Sequence, residues 1–169
     1  MKLAFGILLT AVVLFVFGYI YWMVNPLPNQ AMNSAPDPNA AATAVTQQFP
    51  ESGVYNVMQS GTSAMVIVNH GVATEGADPM AMARGFIHYL VVAVILAIML
   101  PNGARVSAHV RRGFIVGLAA VVLIEGSDVI WWGYAWGWKL WGAGYHLLVF
   151  VIGALVLSKF LPQDPDLVV

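Results

Sequence analysis

Glu125 and Asp128 stand inside an apolar run, five tryptophans follow around a turn, and His146 lies inside the next apolar run: EGSDVIWWGYAWGWKLWGAGYH. An ionised Asp, Lys or Arg at the centre of a membrane helix costs at least about 2.5–3.5 kcal/mol, so such residues face a protein interior, a water-filled cavity or a partner. Glu125 and Asp128 are three residues apart and share a helix face. At the α-helical rise per residue, Asp128 lies about 9 Å and Glu125 about 13 Å below Tyr134, His146 about 10 Å beyond Lys139, and His88 about 6 Å beyond Arg84. His88, Glu125, Asp128 and His146 are therefore expected to form one polar layer drawn from three different helices.

That layer suits several chemistries. His88 and His146 come from two helices at compatible depths for bis-histidine ligation of haem b, and Gly142, Ala143 and Gly144 would leave room beside the ring. With Glu125 and Asp128 added, the donors are the nitrogens and oxygens that zinc, copper or iron accept, so a transition metal is a second candidate. Two neighbouring carboxylates could also share a proton, since burial and mutual repulsion both raise a carboxyl pKa. The plainest role is structural: interhelical polar contacts, with Arg84 and Tyr145 nearby, fixing the packing at about 0.6 kcal/mol each. Met80, Met82 and His88, or Met58, Met65 and His70, could take Cu(I), although methionine more often packs apolar helices. His70 and His109 are expected to be solvated. No G-x-S-x-G, phosphate loop, H-E-x-x-H or EF-hand pattern occurs, and Ser127 beside Asp128 is no triad, so no enzyme is expected.

Composition names the class of element that must position these residues. The 169-residue chain is 60% hydrophobic and 9% charged, whereas about a quarter of residues in soluble domains are charged. A net charge of −1 and the lack of any basic run give no electrostatic basis for nucleic-acid binding. Without cysteine there are no disulfides and no thiolate ligands. The blocks Leu3–Val24, Pro79 to the residue before Pro101, about Ser107 to Tyr134 and Trp138–Phe160 each approach or exceed the 20 or so residues that span a bilayer. Asp78 is a natural N-cap for the second, with Pro79 at its first position. The first block is too long for a signal-peptide core and is read as an anchor. The expected fold is an all-α membrane protein, a four-transmembrane-helix bundle with a small extracytoplasmic helix-plus-hairpin cap.

The segments divide as a first transmembrane helix at 1–24, an extracytoplasmic segment at 25–78, the rest of the bundle at 79–161 and a cytoplasmic tail at 162–169. Within 25–78, Asp37 and Pro38 open a short helix that Pro50 closes. GVYNVM and AMVIVN, joined by QSGTS, read as a β-hairpin. A hairpin alone is marginal in water and is expected to pack on the bundle or on another subunit. Lys2, Arg105, Arg111, Arg112 and Lys159 fall on one side and only Arg84 and Lys139 on the other, which puts both termini in the cytoplasm. Trp22, Trp131, Trp132, Trp136, Trp138 and Trp141 all collect at the outer side as an aromatic rim. Gly113 with Gly117, and Gly142 with Gly153, mark small-residue faces for close helix packing, within the bundle or against a partner.

The motifs WMVNP, FPESGVY and WWGYAWGW resemble those of small bacterial four-span inner-membrane proteins of unassigned function. The resemblance implies a bacterial inner-membrane location. Taken together, the expectation is a non-catalytic accessory or assembly subunit of a larger inner-membrane complex, respiratory or photosynthetic in kind, with the lipid bilayer and other membrane subunits as partners. The alternative is a haem b- or metal-binding membrane protein using His88 and His146. Each helix residue turns the face by about 100°, so the direction in which Glu125 and Asp128 point depends on helix phase.

The five-to-two charge bias makes a direct prediction. Alkaline phosphatase fused after Gln59 should be active and a fluorescent protein fused after Pro162 should glow in the cytoplasm; the reverse pattern would invert the topology.

Overall fold

The computed structural model describes residues 1–70 and 78–162. The tail beyond Pro162 and the stretch 71–77 of the expected extracytoplasmic segment lie outside the described residues. The elements are α1 (Lys2–Tyr19), a π-helical turn (Ile20–Val24), α2 (Leu27–Gln30), α3 (Pro38–Gln48), β1 (Gly53–Gln59), β2 (Thr62–Val68), α4 (Pro79–Met99), α5 (Val106–Ala120), a second π turn (Val121–Gly126), α6 (Ser127–Trp132) and α7 (Trp136–Leu157). Four of these runs are long and apolar enough to cross a membrane: Lys2–Val24, Pro79–Met99, Val106–Trp132 and Trp136–Leu157. The last begins earlier than its sequence pattern suggested, at Trp136, and ends earlier. At its end Phe160 N–H bonds to the carbonyl of Leu157 and Lys159 N–H to that of Val156, so the chain tightens into turns after Leu157.

One compact unit comprises Met1–Met32 and Met82–Val169. Its organising contact is between α5 and α7, joined through α6 by a turn at residues 133–135. Gly133 holds φ at +67°, a left-handed value that closes helix α6 and that glycine adopts without steric cost. The two arms then return in a fixed register. Gly113 lies against Phe150 and Ala154, and Gly117 against Leu147 and Phe150; the Gly113–Ala154 and Gly117–Phe150 pairs are each equidistant from the point between Gly133 and Tyr134. A Cβ on Gly113 would lie 2.6 Å from the Phe150 carbonyl oxygen and 2.7 Å from the Ala154 Cβ. The G-x-x-x-G face is thus filled by the chain's own helix.

Helices α1 and α4 pack on the other sides of α7. Gly153 faces the side chains of Leu96, Leu14 and Thr10, so three helices meet where it has no side chain. Leu96, Leu100, Ala154, Leu157 and Leu161 form the buried cluster around this point. Phe15 packs edge-on against Phe86 and Tyr89, which joins α1 to α4.

His109 is fully buried rather than solvated. Its Nε2–H donates to the Pro101 carbonyl at 2.8 Å, and Gly103 N–H donates to the Pro162 carbonyl at 2.8 Å. The imidazole thereby serves a backbone acceptor of the α4–α5 turn, which accounts for a polar ring in a closed site.

The second compact unit is Asn33–Ala81. The Asp37 carboxylate caps α3 by accepting from Asn39 N–H and Ala40 N–H, both at 3.0 Å. Strands β1 and β2 pair antiparallel from Gly53↔Val68 to Gln59↔Thr62, so the hairpin loop is Ser60–Gly61 alone, with Gly61 at φ +82°. His70 closes the base, its Nε2 2.8 Å from the Phe49 carbonyl and its N–H bonded to Ser52 Oγ, apart from Met58 near the tip and Met65 at mid-strand.

Gly113→Val should cost about 1–3 kcal/mol by overpacking against the Phe150 backbone. Gly126→Ala, which meets no atom within 4 Å, should stay within about 0.5 kcal/mol. Equal losses in detergent unfolding would remove the α5–α7 contact from its central place.

Candidate functional site

The site grows from the same register. Asp128 and Lys139 are equidistant from the turn's midpoint, as are Glu125 and Gly142, and the structure places each pair face to face. Lys139 extends its ammonium between the two carboxylates, 3.0 Å from Glu125 Oε2 and in contact with Asp128 Oδ2. His146, one helical turn past Gly142, sets Nδ1 2.9 Å from Glu125 Oε1, a close approach without an aligned hydrogen bond. Relative exposures of 6% for the Glu125 side chain and 12% for Lys139 place this pair inside the protein, whereas Asp128 at 29% and His146 at 33% form its margins. Lys139 also lies 4.9 Å from the centre of the Tyr134 ring, a cation–π contact at the turn.

Two local features let a carboxylate sit so close to a helix. Glu125 belongs to the π turn Val121–Gly126, where one extra residue per turn bulges the helix wall and re-aims its side chain. Opposite it, Gly142 has no Cβ; one built there would lie 2.6 Å from Glu125 Oε1. The small residues near His146 are therefore occupied from neighbouring helices: Gly142 by Glu125, and Gly144 by the Tyr21 hydroxyl, 3.0 Å from the position of a Cβ. The space imagined there for a macrocycle is filled.

The aromatic rim divides. Trp22, Trp138 and Trp141 are half-buried and join Tyr21 and Tyr145 in a packed cluster: Trp22 lies 5.6 Å from Trp138 and 5.4 Å from Tyr145 between ring centres. Tyr21 donates its hydroxyl to the Trp141 carbonyl at 2.9 Å, tying the π turn of α1 to α7. Trp131, Trp132 and Trp136 are exposed.

Of the four residues in the expected layer, the structure groups Glu125, Asp128 and His146. It leaves His88 outside. Equal depth is not equal direction: Tyr89 turns inward, its hydroxyl paired with that of Tyr145, and the preceding residue on α4 is exposed. The ring of His88 packs only edge-on to Tyr89, at 5.5 Å, among its described ring contacts. Among the described residues no group of three or more His, Asp and Glu is placed to hold a metal ion.

Lys139 is the member that spacing missed, because its position near the start of a span suggested an interface lysine. A short turn between two helices is the signal for it, since antiparallel arms must bring equidistant residues level. Two clefts flank the pair. One of about 220 Å³ is lined by Trp22, Glu125, Trp138, Lys139, Gly142, Tyr145 and His146. The other, about 320 Å³, is almost wholly apolar and borders Val122, Gly126, Ile130, Trp136, Leu140 and Ala143.

Fold and site define a helical bundle of membrane type with an internal carboxylate–ammonium–imidazole cluster under an aromatic wall. Compared with known protein families, curated proteins and solved structures, the chain matches none.

Lys139→Met should destabilise the bundle by about 3–5 kcal/mol, chiefly through the unpaired Glu125 carboxylate. Adding Glu125→Gln should recover part of that loss in a double-mutant cycle; strictly additive losses would mean that the two groups do not interact.

Proposed function

We propose that this chain is a non-catalytic accessory or assembly subunit of a larger complex in a bacterial inner membrane, with both termini cytoplasmic and the helix-plus-hairpin unit on the periplasmic side. The observation that carries it is the engagement of the Lys139 ammonium by two carboxylates of the facing arm. Lys139 is engaged by Glu125 and Asp128, and His146 lies beside Glu125, so the cluster joins α7 to the α5–α6 arm and serves packing rather than an activated nucleophile. The five-to-two distribution of basic residues supports the orientation.

The partner face is the outside of the same hairpin. Val122, Leu123, Ile130, Trp131, Trp132 and Trp136 are all exposed there. Lipid tails satisfy aliphatic side chains on such a face, whereas large amphipathic rings grouped at one end are the residue types that anchor interfaces. The occupant we assign is a transmembrane helix of another subunit. The haem or metal reading needs His88 and His146 at one site, and the exposure of His88 on α4 takes away its support.

A photo-crosslinking residue in place of Trp131 should give one discrete protein adduct in native membranes, and the same residue at Leu8 on α1 should not. Migration as a lone monomer in mild detergent, with lipid adducts only, would overturn the proposal.

A further inference from the structure

We propose that the cleft between Trp22, Trp138, Tyr145 and His146 binds the ring of a membrane quinol or quinone. Charge selects against ionic ligands there. Both oxygens of Glu125 are already faced, one by the Lys139 ammonium and one by His146, so a cation would have to displace Lys139. An anion would meet the Glu125 carboxylate on the same wall, and the Lys139 ammonium beside it is already engaged by Glu125 and Asp128. A neutral ligand escapes both costs.

Size and shape select a single substituted ring. A cavity of about 150 Å³ takes benzene, and this cleft holds about 220 Å³. Trp22, Trp138 and Tyr145 line it, and flat rings pack against aromatic side chains in offset or edge-on arrangements. The cleft is part-open and lined by residues of helices long and apolar enough to cross a membrane, the setting in which a ring could enter while its isoprenoid tail stays in lipid.

His146 supplies the polar anchor. A carboxylate beside Nδ1 favours the proton on that nitrogen, as in other carboxylate-oriented imidazoles, and leaves Nε2 as an acceptor for a quinol hydroxyl. The built features converge on this one atom: a buried Glu125, the π turn that aims it and the missing side chain at Gly142 that admits it.

The site is independent of the partner face on Trp131, so either proposal can fail alone. The test uses the whole chain in lipid nanodiscs, titrated calorimetrically with ubiquinone bearing one isoprene unit and with its quinol. Saturable one-to-one binding is expected, weakened about ten-fold or more by His146→Phe and by Trp22→Leu, and unchanged by Met65→Ala in the hairpin. Uptake that rises linearly and equally in all variants would overturn the site. So would full competition by tetramethylammonium, which would make it a cation cage. Should His146→Phe fail to fold, Trp22→Leu decides, since it alters the facing wall and leaves the Glu125–Lys139 pair intact.

Discussion

The three-residue turn between α6 and α7 constrains most of what the bundle does. It is too short to let the arms slide, so residues equidistant from its midpoint come level along the whole length of the hairpin. Gly113 and Ala154, Gly117 and Phe150, Glu125 and Gly142, and Asp128 and Lys139 obey the same rule, the first two pairs through packing and the last two through electrostatics. One register therefore serves both the close approach of backbones at one end and the charged cluster at the other. A shift of one residue would drive a side chain into the Phe150 carbonyl and withdraw Lys139 from its carboxylates together.

Burial gives the cluster its weight. In water an ion pair contributes little, but a carboxylate removed from solvent without a partner is expensive. Glu125 is the least exposed member and touches two partners, so the arrangement is organised around it. The π turn and Gly142 solve the steric half of the problem, and Lys139 and His146 solve the electrostatic half. The result is a polar wall shared by two clefts, one ringed by aromatic side chains and one nearly apolar.

Polar groups at the other end of the bundle are engaged differently. Thr10 donates to the Gly6 carbonyl and Ser158 to that of Leu155, each on its own helix, while His109 holds the α4–α5 turn. Between these groups and the cluster lies the apolar core of Leu14, Leu96, Ala154 and Leu157. Among the described residues, that core offers no chain of polar side chains from one end to the other.

Much of the architecture was legible in the linear order of residues. Long apolar blocks, Asp37 and Asp78 before prolines, and two β-rich runs around a glycine specify four membrane-length helices, a capped short helix and a hairpin, because these signals act over a few neighbours. Rise per residue is constant, so spacing alone set Glu125, Asp128 and His146 at comparable distances along their helices, and the structure gathers these three with Lys139. Direction was not. It turns by about 100° per residue and is reset by a π turn, which no local pattern announces. Hence His88, at a suitable depth, faces outward beside an inward Tyr89, and His109, near a helix end, is closed in by a returning turn. By itself the sequence determined which residues could not be left unpaired in an apolar setting. Only the tertiary structure decided who pairs with whom, because partnership across helices depends on register and phase together.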